Sequence, residues 1–262
     1  VSPLNNPVIK KRFKPITLVN LIQKGRKKMF LGGIQKNSFI DFPGKVSAVL
    51  FLSGCNFRCP YCHNPELVEG RSDCPAFLNE SWVLEFLKKR KGFLDGVVIS
   101  GGEPTIHDDL FTLCDKLKES GFPIKIDTNG SRPQVIQKLI NEGLVDYIAM
   151  DIKTDPFKYF SFTNAGFNPN SILKSIQIIM ESSINYEFRT TCIKPLVNEN
   201  VIQNISRLID GSMLYALQHF RNDKVLQPEF FMRNADAIGL SDPEMALLQS
   251  IAKPWVQSCI VR

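Results

Sequence analysis

Three cysteines stand in the run Cys55-Asn56-Phe57-Arg58-Cys59-Pro60-Tyr61-Cys62. Their Cys-x-x-x-Cys-x-x-Cys spacing puts three thiols on one loop. Three thiolates can hold three irons of a cubane [4Fe-4S] cluster and leave the fourth iron open to a substrate or cosubstrate, whereas a cluster with four cysteine ligands mainly passes electrons. Zinc is the competing occupant, since His63 adjoins Cys62, but structural zinc sites usually pair two knuckles well separated in sequence. The other cysteines, Cys74, Cys114, Cys192 and Cys259, are isolated and read as small apolar residues. One cluster is therefore expected, on Cys55, Cys59 and Cys62.

Other groups able to bind or react follow at intervals. Gly101-Gly102-Glu103-Pro104 offers bare backbone for a ligand to lie against and a carboxylate to meet an ammonium group, although such a run is also an ordinary turn. Asp127 and Asp151 could coordinate a cation with Thr128, or cap the helices that follow. Lys153 and Arg189 could bind a carboxylate, or be solvated or salt-bridged. Tyr61, between two of the cysteines, could stack on a purine or simply cover the cluster. His219 stands alone and is left unassigned.

The elements that must position these groups are legible from hydrophobic period. Apolar runs at residues 46–52, 96–100, 123–127, 147–152, 186–192 and 213–218 read as buried strands. Amphipathic stretches at 81–91, 108–120, 133–142, 171–182 and 200–209 read as helices between them. Six β-α units imply a parallel sheet with helical crossovers, either a partial (β/α)6 barrel with outer helices or a doubly wound open sheet. In both, function gathers at the carboxyl ends of the strands. The cysteine loop follows the first strand, Gly101-Gly102-Glu103 the second and Asp127-Thr128 the third; Asp151 and Lys153 close the fourth, and Arg189 lies late in the fifth. Residues 255–262 read as terminal packing.

A chain of 262 residues with 44% hydrophobic content suits one domain with ample core. No run approaches the ~18 apolar residues of a membrane span, and no secretory signal is evident, so the expected location is the cytoplasm. The net charge of +6 resembles a nucleic-acid signal, but it is local. Eight of the 32 basic residues lie within residues 1–28, which hold no acid. Residues 1–28 are therefore expected to be a weakly ordered basic arm and residues 29–262 the working domain, with nucleic acid not the expected partner.

Taken together, Cys55, Cys59, Tyr61 and Cys62, then Gly101-Gly102-Glu103-Pro104, Asp127-Thr128-Asn129-Gly130 and Met150-Asp151-Ile152-Lys153, resemble the radical S-adenosylmethionine (radical SAM) enzymes, specifically the short glycyl-radical-enzyme activases. The flanks, from Gly32-Gly33-Ile34 to His63-Asn64-Pro65-Glu66-Leu67, are most similar to the subgroup that activates anaerobic ribonucleoside-triphosphate reductase. The resemblance spans residues 31–230. It implies a partial (β/α)6 barrel whose open iron chelates S-adenosylmethionine, reductive cleavage of that cosubstrate to a 5′-deoxyadenosyl radical, and hydrogen abstraction from a backbone glycine of a partner enzyme. It also implies flavodoxin or ferredoxin as electron donor. By motif, Gly101, Gly102 and Glu103 would meet the methionine amino group, Lys153 its carboxylate and Tyr61 the adenine, with Arg189 a looser carry-over. Asp127, Thr128 and Asp151 match positions that hold a monovalent cation in formate-lyase activases. Two other readings compete: a radical SAM enzyme acting on a small molecule such as a deazapurine precursor, and a non-catalytic iron–sulfur or zinc protein whose basic arm docks nucleic acid.

Overall fold

The computed structural model describes residues 29, 31–69, 78–161, 163, 167–221, 224–233 and 239–262. The basic arm and Cys74 lie outside the described residues. One eight-stranded sheet organises the rest, with its strands in sequence order. They are β1 (Leu31–Ser38), β2 (Ser47–Leu52), β3 (Gly96–Gly101), β4 (Ile124–Thr128), β5 (Tyr147–Asp151), β6 (Asn185–Cys192), β7 (Tyr215–His219) and β8 (Cys259–Val261). Every neighbouring pair from β2 to β8 is parallel. Only β1 runs antiparallel, against β2.

That order decides between the two architectures expected from the sequence. In a doubly wound sheet the strand order reverses part-way, which sends helices to both faces. Here each crossover steps to the next position in the same direction, and crossovers of the usual hand then place their helices on one face. The helices are α1 (Pro65–Val68), α2 (Glu80–Lys89), α3 (Leu110–Glu119), α4 (Pro133–Asn141), α5 (Asn170–Met180), α6 (Glu199–Leu208), α7 (Pro228–Arg233) and α8 (Asp242–Ala252). The result is the open (β/α)6 arrangement, extended by an antiparallel strand at one edge and a short parallel strand at the other.

The strands divide the core into two unequal parts. Alternate side chains point outward under the helices, where Leu50, Ile99, Ile126, Met150, Phe188 and Leu217 join one large buried cluster. The residues between them point into the lumen, whose apolar part holds Phe42, Val49, Val98, Tyr147 and Ala149. The lumen is otherwise polar. Period-two alternation in Ile124-Lys125-Ile126-Asp127 therefore sends the isoleucines to the helices and both charges inward.

Three features depart from the sequence reading. The tail at 255–262 is not merely packed on the end: Cys259–Val261 pairs with Tyr215–Leu217 as β8. Strand β1 is not legible in the sequence, because Gly32, Gly33 and a polar second half show no strand pattern; its pairing with β2, through two irregular register steps, makes it a strand. Helix α8 closes the β7–β8 crossover from a capping box, with Ser241 and Glu244 bonding each other's backbone ends.

Candidate functional site

The candidate residues converge. A cavity of about 420 Å³ at the carboxyl ends of the parallel strands is lined by Cys55, Cys59, Tyr61, Cys62, Gly101, Gly102, Glu103, Asp127, Thr128, Asp151, Lys153 and Arg189. Every residue assigned to the site from sequence shares this wall system, and the volume lies in the range of small-molecule and cofactor sites.

The cysteine loop leaves β2 directly and is pinned from behind. Gly54 N–H donates to Leu67 O at 2.5 Å and Cys55 N–H to Val68 O at 3.2 Å, so α1 fixes where the loop starts. Cys62 N–H closes a turn on Cys59 O at 3.0 Å, and Phe57 N–H points at Cys55 Sγ at 3.4 Å. Burial pushes the Cys55 thiol up to about 12 and the Cys59 thiol to about 11, and raises Cys62 as well. Such thiols lose their protons to a metal rather than to water, so iron loading would release protons. The Tyr61 ring is buried beside them, and its hydroxyl has no hydrogen-bond partner among the described residues.

Gly101 and Gly102 have a different structural reason from the one the sequence offered. Gly101 has φ +120°, and a Cβ there would run into the backbone of Leu52; a Cβ on Gly102 would run into the Gly54 carbonyl. The glycines let the end of β3 lie directly against the chain that enters the cysteine loop. Two backbone bonds follow, Gly102 N–H to Leu52 O and Glu103 N–H to Gly54 O, each 2.8 Å.

Glu103 is fully buried, and its carboxylate is engaged by the chain itself. Oε1 accepts from Thr105 N–H at 3.0 Å, Thr105 Oγ1 at 2.5 Å and Thr128 Oγ1 at 2.7 Å, while Oε2 accepts from Asn129 N–H at 2.6 Å. Burial raises its pKa, against the pull of those donors. It ties the β3 rim to the β4 rim.

The acids at the ends of β4 and β5 do not cap helices. Asp127 Oδ1 meets Lys125 Nζ at 2.5 Å and Arg189 NH1 at 3.4 Å; Asp151 meets Arg189 Nε at 2.7 Å and Lys153 Nζ at 2.8 Å. Burial would raise both carboxyls, but Arg189 with Lys125 or Lys153 outweighs it and holds both below the usual carboxylate range. The same contacts raise Lys153 and Arg189 despite their burial. One layer down, Arg262 reaches back from the end of β8 to Glu187 at 2.9 Å.

Sequence reasoning missed two positions. Asn56, inside the cysteine motif, donates to Ser131 Oγ at 2.8 Å and accepts from Asn129 Nδ2 at 3.0 Å, joining the cysteine loop to the β4 loop. Lys125 is 1% exposed in mid-strand. Its signal was a lysine inside an otherwise apolar run, two residues before Asp127. His219, left unassigned, lies 3.5 Å from Asp242.

Known proteins place this arrangement. The model of the Radical SAM superfamily matches residues 49–209, the stretch that carries every candidate side chain above. The chain belongs to that superfamily. A protein of Methanocaldococcus jannaschii described as a glycyl-radical enzyme activating enzyme is 36% identical over 243 residues, 90% of this chain and 96% of that one. This chain is thus a radical SAM enzyme of the glycyl-radical-enzyme activating group. The pyruvate formate-lyase-activating enzyme of Listeria monocytogenes is 33% identical over 144 residues, half of this chain and 56% of that one. Among solved structures, Streptococcus suis SuiB bound to S-adenosylmethionine superposes with a TM-score of 0.58 at 16% identity, over 79% of this chain and 48% of that one, a likeness of fold. Membership implies a [4Fe-4S] cluster and S-adenosylmethionine. The residues fit both: three free thiols, Cys59 buried and Cys55 and Cys62 half-buried, share one wall, and an orphaned tyrosine hydroxyl and charged rims complete a cavity of cofactor size. No helix among the described residues is long and apolar enough to cross a membrane.

Proposed function

We propose that this chain installs a glycyl radical on anaerobic ribonucleoside-triphosphate reductase, taking its electron from a flavodoxin or ferredoxin in the cytoplasm. The observation that carries the reading is the convergence of the three thiols and all the rim residues on one cavity. When bound and reduced, the cluster supplies one electron to cleave S-adenosylmethionine into methionine and a 5′-deoxyadenosyl radical.

The chain's own residues do the rest. Cys55, Cys59 and Cys62 hold the cluster at the lip of β2. The backbone around Gly101 and Gly102 accepts the amino group of the cosubstrate, with Glu103 holding that backbone in place from below rather than reaching the ligand itself. Lys153, its ammonium already aimed at the site by Asp151, takes the carboxylate, and the Tyr61 hydroxyl gains a partner from the nucleoside. Arg189 locks Asp127 to Asp151 across neighbouring strands, keeping two rims at fixed separation. The open sheet leaves a lateral way in for a glycine-bearing segment of a partner, and enclosure by the buried walls keeps water from the radical. Subgroup flanks around Gly32-Gly33 and His63-Asn64-Pro65 support the reductase as partner.

The test is anaerobic. The protein is reconstituted with iron and sulfide, reduced with dithionite and given S-adenosylmethionine, and 5′-deoxyadenosine is measured; adding an anaerobic ribonucleotide reductase should then produce the doublet electron paramagnetic resonance signal of a glycyl radical. Cleavage with no such doublet, and turnover of a small molecule instead, would reject the partner.

A further inference from the structure

Lys125 takes no part in the proposed chemistry, yet it is buried to 1% in the lumen directly below the site. Its Nζ has Asp127 Oδ1 at 2.5 Å and the face of Tyr147 with its centroid 6.0 Å away. Burying an ammonium is costly, and its pairing with Asp127 offsets that cost here. The carboxylate it meets is one of three groups that match a monovalent-cation site by motif.

Those three groups do not suit a metal cation here. A hard cation needs several oxygens turned toward it. Asp127 meets both Lys125 and Arg189 through Oδ1, and both oxygens of Asp151 are taken, Oδ1 by Arg189 and Oδ2 by Lys153. Thr128 Oγ1 donates to Glu103 and accepts from Gly130 N–H at 3.1 Å. Lys125, Arg189 and Lys153 already neutralise Asp127 and Asp151 from within the chain, with Arg189 also facing Glu187 at 4.0 Å.

We propose that the Lys125 ammonium stands in for the monovalent metal cation, so that this enzyme binds its cosubstrate without sodium or potassium. The period-two geometry of β4 delivers the ammonium to Asp127 from within the lumen. Lys125 is then a positioning residue: it neutralises Asp127 and keeps it from repelling the ligand carboxylate. The inference rests on the S-adenosylmethionine reading of the cavity.

Two measurements on the reconstituted protein test it. Thallium(I) nuclear magnetic resonance reports a monovalent-cation site directly, and calorimetry reports S-adenosylmethionine affinity in potassium chloride against choline chloride at equal ionic strength. Wild type should show no saturable thallium site and affinities within about twofold in the two salts. Lys125→Gln should gain a saturable thallium site, bind about tenfold more weakly in choline chloride and recover in potassium chloride, as loss of one charged contact predicts. A saturable thallium site in wild type, or a wild-type affinity that collapses in choline chloride, would overturn the proposal. Should Lys125→Gln fail to fold, the wild-type measurements decide alone. If S-adenosylmethionine binds in neither salt the proposed function fails, while the thallium titration still judges this inference.

Discussion

The two faces of the same strands obey different rules. On β4, β5 and β6 the helix-facing residues Ile126, Met150 and Phe188 are buried hydrocarbon, while their sequence neighbours Lys125, Asp127, Asp151 and Arg189 face the lumen as paired charges. Hydrocarbon burial is non-directional and scales with area, so the outer face tolerates any well-packed shape. Ion pairs in a low-dielectric lumen depend on each partner being present, because a lone buried charge is penalised. Stability is therefore concentrated on one face and binding geometry on the other, separated by one residue of register.

The sharpest way to test that division is at the cysteine loop, which belongs to neither face. Cys59→Ala should abolish cluster assembly outright, since two thiolates cannot hold the cubane, while the far-ultraviolet circular dichroism stays that of wild type. Iron and acid-labile sulfide content after anaerobic reconstitution measures the first, and near-normal content would remove Cys59 from the ligand set. Next in size is the outer face. Phe188 is fully buried among the helices, and Phe188→Ala should cost about 3–5 kcal/mol of unfolding free energy with the same penalty at neutral and acid pH. Urea midpoints at two pH values check it; a penalty that fades in acid would mean Phe188 matters through the charged network instead.

The lumen face should answer to pH. Asp151 is held below its ordinary value of 3.8, so its contribution is fully present above that value and is lost as pH falls through the depressed one. Asp151→Asn removes the contribution at every pH and leaves Arg189 and Lys153 short of a partner, at a cost of about 2–3 kcal/mol at pH 7. As pH falls below 4 the gap between variant and wild type should narrow progressively. Parallel stability curves down to pH 2 would show that the Arg189–Asp151–Lys153 contacts carry no net stabilisation.

How far these faces could be read from sequence follows from how local each signal was. The parallel strands and their helices were legible because apolar runs end in Gly, Asp or Asn, and the site was legible because functional groups directly follow those runs. Strand β1 was not, since its strand character comes from β2 rather than from its own Gly-Gly-Ile-Gln-Lys. The three-residue β8 is too short to carry a period. At the site, Gly101 and Gly102 were found for an incomplete reason: their missing side chains serve chain-to-chain approach, which depends on Leu52 and Gly54 some fifty residues earlier. Asp127 looked like a cap because Thr128-Asn129-Gly130 after it reads as a turn, while one of its two partners, Arg189, is distant in sequence. Lys125 carried a local signal, a charge at the inward phase of a buried strand, and only the register says which carboxylate it meets.

The smallest effect probes the seam between the regions. Asn56 has no charge and is not among the proposed ligand contacts, yet its amide bridges the cysteine loop to Asn129 and Ser131 on the β4 rim. Asn56→Ala removes two hydrogen bonds and leaves the Asn129 amide short of an acceptor, worth about 1–2 kcal/mol in stability. Cluster content should be unchanged, since the three thiols and the α1 contacts behind them remain. What should change is registration: with the loop free to shift against the rim, S-adenosylmethionine affinity should drop several-fold, because the proposed ligand contacts lie on both sides of the seam. Asn56→Asp keeps the acceptor for Asn129 and loses the donor to Ser131, so it should recover part of the affinity. Equal affinity in wild type, Asn56→Ala and Asn56→Asp would show that the loop is positioned by α1 alone.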